Sequence, residues 1–266
     1  MSLQKVKAAR LRHALLWMLF LSAWGKLSAL DGNARIYGTV TDFHGQPIEG
    51  ASVILKDSRF RPLHETLSDK NGKYVLSVPK GTYYCLYAIR TADYRVSRLE
   101  YWTWNVPVYE DMEINPQYDR MEIYGINVFE PQVTPQETYM LYFRPMSLAK
   151  TLAIVDRQKV DGRRFEREKR AEELLKPTEG DILNVGPEAI TPGELEIEVN
   201  GLKAKILGIH KTVEYARGLY YHGYNVQILK PKNQRAPKTA YDRITIVLHS
   251  RETGESGKGE AFIKRR

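Results

Sequence analysis

The chain has 266 residues, with 40 Lys and Arg against 32 Asp and Glu, for a formal net charge of +8. Five of the basic residues and none of the acidic ones lie in the first 29 positions, which leaves 35 against 32, a net of +3, for the rest. So small and scattered an excess argues against a nucleic-acid-binding protein. The single cysteine, Cys85, excludes an internal disulfide and with it a disulfide-stapled scaffold.

Residues 1–29 have the three-part pattern of a secretory signal peptide. Four basic residues lie between Lys5 and Arg12, an apolar run of eleven residues extends from Ala14 to Trp24, and a Ser-Ala pair ends at Ala29. This order predicts export to the periplasm, the cell surface or the extracellular space, with cleavage after Ala29. The alternative is an uncleaved anchor, but spanning a bilayer takes about 20 apolar residues. We predict no transmembrane span after cleavage, because no later segment is long and apolar enough.

Residues 30–130 contain short runs of alternating apolar and polar residues, separated by turn-forming clusters. In ARIYGTVTD, Ile36 and Val40 share one face, and in ASVILKD, Val53 and Leu55 do the same. The segment FHGQPIEG lies between the two runs, and its glycines and proline favour a turn. Strands this short and closely spaced, with no helical periodicity, predict an all-β sandwich.

Residues 131–266 follow a proline-containing boundary, EPQVTPQET, and return to β patterns. The run ELEIEVNG alternates, with Leu195, Ile197 and Val199 predicted to point inward, and it ends at Asn200-Gly201, a pair that favours a hairpin turn. A stretch rich in Glu, Arg and Lys predicts one exposed helix near residues 162–176. We therefore predict a mainly β protein with two β-sandwich domains, the second carrying one charged helical insertion.

The first half resembles the carboxypeptidase regulatory-like domain over roughly residues 35–115. The matching residues are Gly38, Val40, Asp42, Gly45, Pro47, Ile48, Gly50, Ala51, Val53, Ser68, Asp69, Gly72, Tyr74, Pro79, Gly81 and Tyr83. The resemblance implies a transthyretin-like (prealbumin-like) sandwich, grouped with carbohydrate-binding-like folds, and it leaves the function open because a fold does not fix a site. The second half resembles no family that we can name.

The segment SDKNGKYVLSVPKGTYY offers two interpretations, a calcium loop or a pair of turns. Asp69 and Asn71 have the spacing with which an EF-hand loop begins, but the twelfth residue is Lys80, where such a loop needs a glutamate. Asp69 can instead bond the backbone two residues on, and Gly72 can adopt a positive φ. We therefore predict turns, and neither a metal nor another cofactor.

Three aromatic residues, Tyr101, Trp102 and Trp104, are the candidates for ligand binding. In EYWTWN, alternation places Trp102 and Trp104 on one face of a strand and Tyr101 on the other. If their face is exposed, the two indoles form a platform on which the apolar face of a sugar ring stacks; if it is covered, they belong to the core. On the preceding strand, alternation places Tyr83 and Cys85 on the same face.

Catalytic motifs are missing from the sequence. None of the six histidines lies in an HExxH arrangement, and there is no GxSxG, phosphate loop or CxxC. The resemblance is to the accessory module of carboxypeptidases and not to their peptidase domain. The first hypothesis is an exported, non-enzymatic binding or structural module that contacts a glycan or an envelope protein. The alternatives are an accessory subunit of an envelope complex and an enzyme with its site in residues 131–266.

Overall fold

A computed structural model describes residues 32–133, 135–153, 184–216, 219–232 and 240–265. The predicted signal peptide and the predicted helix near residues 162–176 lie outside these ranges. Within them the chain is built from strands, and only residues 148–153 are helical. None of the described helical residues belongs to a helix that could cross a membrane.

Eight strands come from the first half of the chain. They are β1 (Asn33–Thr39), β2 (Ser52–Lys56), β3 (Pro62–Leu67), β4 (Lys73–Pro79), β5 (Gly81–Ile89), β6 (Tyr101–Val108), β7 (Met112–Glu113) and β8 (Met121–Phe129).

Seven strands come from the second half. They are β9 (Thr138–Ser147), β10 (Leu195–Val199), β11 (Leu202–Lys203), β12 (Lys205–Ala216), β13 (Leu219–Leu229), β14 (Tyr241–His249) and β15 (Ser256–Lys264).

These strands form three sheets. A central eight-stranded sheet has the order β11-β10-β14-β15-β6-β5-β2-β3, and it is accompanied by a three-stranded sheet, β4-β1-β7, and a four-stranded sheet, β12-β13-β9-β8. The central sheet joins the two halves of the chain, because β6 pairs in parallel with β15, with Trp102 opposite Gly259 and Trp104 opposite Ala261. The mainly β fold class is confirmed. The domain boundary at residue 130 stays a prediction, and β8, before that boundary, pairs with β9, after it.

The first core lies between the three-stranded sheet and the part of the central sheet formed by β2, β5 and β6. The alternation in the sequence explains it, since Ile36 on β1 and Val53 and Leu55 on β2 are fully buried. Its larger members include Tyr74, Leu76, Val78, Leu86, Tyr101, Val106, Val108, Ile114 and Tyr118.

The second core lies between the four-stranded sheet and the β6-β15-β14-β10 part of the central sheet. Its members include Ile123, Leu141, Phe143, Leu195, Ile197, Val199, Tyr224, Val226, Ile244, Ile246 and Leu248. Two glycines on β15 let β8 pack closely against it. A Cβ on Gly257 would lie 2.6 Å from the carbonyl oxygen of Met121, and one on Gly259 would lie 2.9 Å from that of Ile123.

In three loops of the first half, an aspartate side chain accepts hydrogen bonds from two backbone N–H groups that follow it in the chain. The Oδ1 atom of Asp69 accepts hydrogen bonds from the backbone N–H groups of Asn71 (2.8 Å) and Lys73 (2.9 Å). Asp42 and Asp57 accept in the same way from the residues two and four positions later. Asp69 thus builds a turn, as its spacing predicts. No group of three or more His, Cys, Asp or Glu is placed to hold a metal in the described ranges.

The strands β5 and β6 switch faces halfway along their length. Tyr83 packs against the first core, whereas Cys85 lies in the second, so the prediction that they share a face is wrong. The same switch occurs on β6 between Trp104 and Val106, where Asn105 has a φ of 56°. The ladder has no pairing between Tyr84 and Asn105. This local break overrides the simple alternation of a strand.

Candidate functional site

The two indoles of β6 lie side by side, as the alternation predicts. Trp102 and Trp104 stack with ring centroids 5.4 Å apart and an interplanar angle of 18°. Small neighbours make room for them, because Gly259 and Ala261 are opposite them on β15 and Cys85 is opposite Trp104 on β5. The structure thus brings together two of the three residues that the sequence proposes for ligand binding.

Other aromatic rings cover most of the indole surface. Phe60, Tyr84 and Tyr124 meet Trp104 edge-on, with centroid distances of 6.2, 5.6 and 5.3 Å. Trp102 and Trp104 are each only 5% exposed. A platform formed by both open indole faces would require these rings to move, so the stacking role of the pair stays a prediction.

Tyr101 lies on the opposite face of β6, apart from the indoles. It is fully buried in the first core, and its hydroxyl accepts a hydrogen bond from the Thr103 Oγ1 at 2.6 Å. Its proposed role in ligand binding also stays a prediction.

Trp102 is anchored by a buried carboxyl group. Its Nε1 donates to Oε1 of Glu122 at 2.7 Å. Burial, followed by the nearby charge of Glu100, raises the pKa of Glu122 well above its usual range. Burial also raises the pKa of Glu100 and lowers the pKa of Lys56, whose Nζ lies 3.6 Å from the centroid of the Tyr87 ring. The indole pair therefore rests on a largely buried polar cluster.

Trp104 lines an open pocket of about 210 Å³. We call it the Trp104–Arg144 pocket. Its lining residues are Tyr84, Trp104, Asn105, Tyr124, Gly125, Ile126, Asn127, Tyr142, Arg144 and Glu214. The pocket combines four aromatic side chains, on β5, β6, β8 and β9, with polar groups on β6, β8, β9 and β12. Its walls thus come from both halves of the sequence.

The polar wall is built around Arg144. Its Nη1 donates to Oε2 of Glu214 at 3.0 Å, and the Tyr142 hydroxyl donates to the same oxygen at 2.5 Å. The Arg144 guanidinium lies 5.2 Å from the centroid of the Tyr124 ring and 4.9 Å from that of Tyr221, distances suited to cation–π contacts. These contacts hold the side chain of Arg144 in one position.

A glycine lets this wall form across three strands. Tyr142 is on β9 and Glu214 is on β12, with β13 between them. A Cβ at Gly223 of β13 would overlap the Tyr142 hydroxyl, so only glycine leaves a path for the tyrosine to reach the glutamate. Burial, together with the hydrogen bond to Glu214, raises the pKa of Tyr142, which keeps the hydroxyl a donor.

Two backbone irregularities shape the mouth of the pocket. Asn105 has a φ of 56° and Gly125 a φ of 66°, in the left-handed region. The register of β8 against β9 shifts by one residue between Tyr124 and Asn127, which marks a bulge at Gly125. Bulges and left-handed residues inside strands often re-aim side chains at binding sites. Here they occur on β6 and β8, two of the strands that border the pocket.

Sequence reasoning finds Trp104 but misses most of this site. Tyr142 and Arg144 alternate with the core residues Leu141 and Phe143, so the sequence could indicate that they share the face away from the core. It could not indicate that Glu214 lies beside them, because that contact depends on the strand order β12-β13-β9.

Comparison with known families confirms the resemblance in the first half. Residues 35–108 match the family model of the carboxypeptidase regulatory-like domain. No curated protein matches the chain.

Several solved structures have a remote similarity to the chain. BcpA, the major pilin subunit of Bacillus cereus, is 9% identical with a TM-score of 0.26, over 88% of this chain and 69% of the pilin. A DUF3823 family protein from Parabacteroides merdae is 8% identical with a TM-score of 0.23, over 88% of this chain and 98% of that one. The major pilin SpaD from Corynebacterium diphtheriae is 10% identical with a TM-score of 0.22, over 86% of this chain and 64% of the pilin. Similarities this low say nothing about function.

Proposed function

We propose that the protein is an exported, non-enzymatic binding module that holds one sugar residue of an envelope glycan in the Trp104–Arg144 pocket. The observation that carries this proposal is the meeting of aromatic and hydrogen-bonding side chains in one open concavity. A sugar ring has an apolar C–H face and a rim of hydroxyl groups. Aromatic rings suit the face, and the Arg144–Glu214 pair and the two asparagine amides suit the rim.

The volume of the pocket favours a small ligand. Pockets for drug-sized molecules have volumes of about 300–1,000 Å³, and this one has about 210 Å³. A single ring, such as the terminal residue of a glycan, fits better than an extended oligosaccharide. The openness of the pocket to solvent lets the rest of the glycan continue outward.

The charged groups in the pocket favour binding over hydrolysis. Most glycoside hydrolases use a pair of carboxyl groups on either side of the scissile bond. Among the described residues that line the pocket, Glu214 is the only carboxylate. It is engaged by Arg144 and Tyr142 through one oxygen. This arrangement supports a binding role.

A glycan array tests the proposal with a matched pair of variants. Tyr84 lines the pocket and is 39% exposed, while Tyr37 on β1 is 41% exposed and lies outside the pocket. We expect the wild-type protein and Tyr37→Ala to bind the same envelope glycans, and Tyr84→Ala to lose about tenfold in affinity through its missing ring contact. Thermal unfolding of both variants serves as the control for folding.

Two outcomes would count against the proposal. Equal losses in Tyr84→Ala and Tyr37→Ala would place the binding outside the pocket. If no glycan binds and a stoichiometric envelope protein co-purifies with the chain, the accessory-subunit hypothesis is favoured instead. The exposed Leu63 and Leu67 on the edge strand β3 would then be the first contact surface to examine.

A further inference from the structure

The charges of the polar wall are balanced. Arg144 and Glu214 are in contact at 3.0 Å, with side chains 13% and 39% exposed. Because opposite charges at this distance largely cancel, the pocket has little net field for an anion or a cation. Oε2 of Glu214 already accepts from Arg144 and Tyr142, whereas no described residue donates to Oε1. Within the described ranges, the wall therefore has one carboxylate oxygen that accepts no hydrogen bond, beside an arginine that donates to the other oxygen.

Two buried donors near the pocket lack acceptors. Among the described residues, five buried side-chain atoms have no hydrogen-bond partner, and two of these are Nε1 of Trp104 and Nε of Arg144. Both belong to residues that line the pocket. An N–H group without an acceptor is costly in a folded protein and invites an explanation. Both atoms are shielded from water, so these two residues border the pocket with donor groups that the described part of the chain leaves unpaired.

These observations define the chemical class of the ligand. We propose that the pocket selects a neutral sugar with two adjacent hydroxyl groups, an inference that rests on the proposed sugar-binding function. One hydroxyl oxygen accepts from Arg144, and its neighbour donates to Oε1 of Glu214. A hydroxyl both donates and accepts, which matches a wall of mixed character. A uronic acid fits worse, because its carboxylate lies beside that of Glu214 while the charge of Arg144 is already neutralised.

Pairs of sugars that differ only in charge test this selectivity. The probes are galactose with galacturonic acid, glucose with glucuronic acid, and mannose with mannuronic acid, as methyl glycosides, measured by ligand-observed NMR and calorimetry at pH 7. In the pair that binds, we expect the affinity for the neutral glycoside to be about tenfold higher than the affinity for the acid. Analogues of that sugar that each lack one hydroxyl group should bind about tenfold more weakly when the missing group is either of two adjacent hydroxyls. Removal of any other hydroxyl group should change the affinity little.

Substitution of Glu214 separates charge from shape. Glu214→Gln keeps the size of the side chain and removes its charge, so we expect the acid to gain affinity and the preference to narrow to about twofold. Tyr142→Phe is the matched control, because it removes a hydrogen bond to the same carboxylate but leaves its charge. We expect this variant to retain the preference. Both changes lie on partly exposed strand positions, and thermal unfolding confirms that the variants fold.

The outcomes distinguish this inference from the proposed function. If the acid binds as tightly as the neutral sugar, or if Glu214→Gln leaves the preference unchanged, the inference is wrong and the pocket still binds sugars. A loss confined to one deoxygenated position would exclude the adjacent hydroxyl pair. If no sugar of any pair binds, both the inference and the proposed function are overturned.

Discussion

Glu122 shows how one buried residue makes the stability of the fold depend on pH. The pKa of its carboxyl is raised by burial and then by the charge of Glu100, while Trp102, Arg144 and Arg95 oppose the shift. Two further residues, Lys56 and Tyr94, interact with the carboxyl group of Glu100 and oppose the rise in its pKa. A carboxyl group with a raised pKa binds its proton more tightly in the folded state. Its full stabilisation is present below the unfolded pKa of about 4.3 and is lost as the pH rises toward the folded value.

Glu122→Gln should therefore stabilise the protein at neutral pH. The amide oxygen can still accept a hydrogen bond from Nε1 of Trp102, and the amide, unlike the buried carboxyl group, does not ionise at neutral pH. We expect the free energy of unfolding to rise by about 1–3 kcal/mol at pH 7 and to change little at pH 4. Urea unfolding at the two pH values measures this difference. A variant that is less stable than wild type at both would show that the carboxyl is ionised and stabilising in the folded state.

At the scale of the strand, the close packing of β8 on β15 depends on residues without side chains. Gly257→Ala places a Cβ 2.6 Å from the carbonyl oxygen of Met121, a backbone atom that cannot move without moving β8. We expect a loss of about 1–3 kcal/mol in the free energy of unfolding, measured by urea denaturation. Gly81→Ala on β5 is the control, since a Cβ there meets no atom within 4 Å. Equal effects of the two changes would contradict the close-packing account.

The predictability of the strands differs along the chain. The turn at Asp69 and the inward positions on β10 follow from local chemistry and from the period of two, and both are confirmed. The switch of faces at Tyr84 and Asn105 could not be predicted by alternation, because it depends on a left-handed residue other than glycine within a strand. The same switch sends Trp104 and Val106 to different cores.

At the scale of the whole molecule, one sheet unites the two halves of the sequence. The parallel pairing of Trp102 with Gly259 joins residues that are far apart in the chain, and no local pattern indicates it. The pocket has the same origin, since Trp104 comes from the first half and Arg144 and Glu214 from the second. The sequence therefore predicts the fold class and one wall of the site, while the polar wall emerges only from the strand order.

The most direct test of a sugar site in the Trp104–Arg144 pocket is backbone NMR during titration with the preferred neutral glycoside. We expect the largest amide shift changes to cluster at Asn105, Gly125 and Asn127 from the first half and at Arg144 and Glu214 from the second. Saturation at all five with one dissociation constant would support a single site built from both halves. Shift changes that cluster elsewhere, for example around Tyr37 on β1, or no changes at all, would contradict the account.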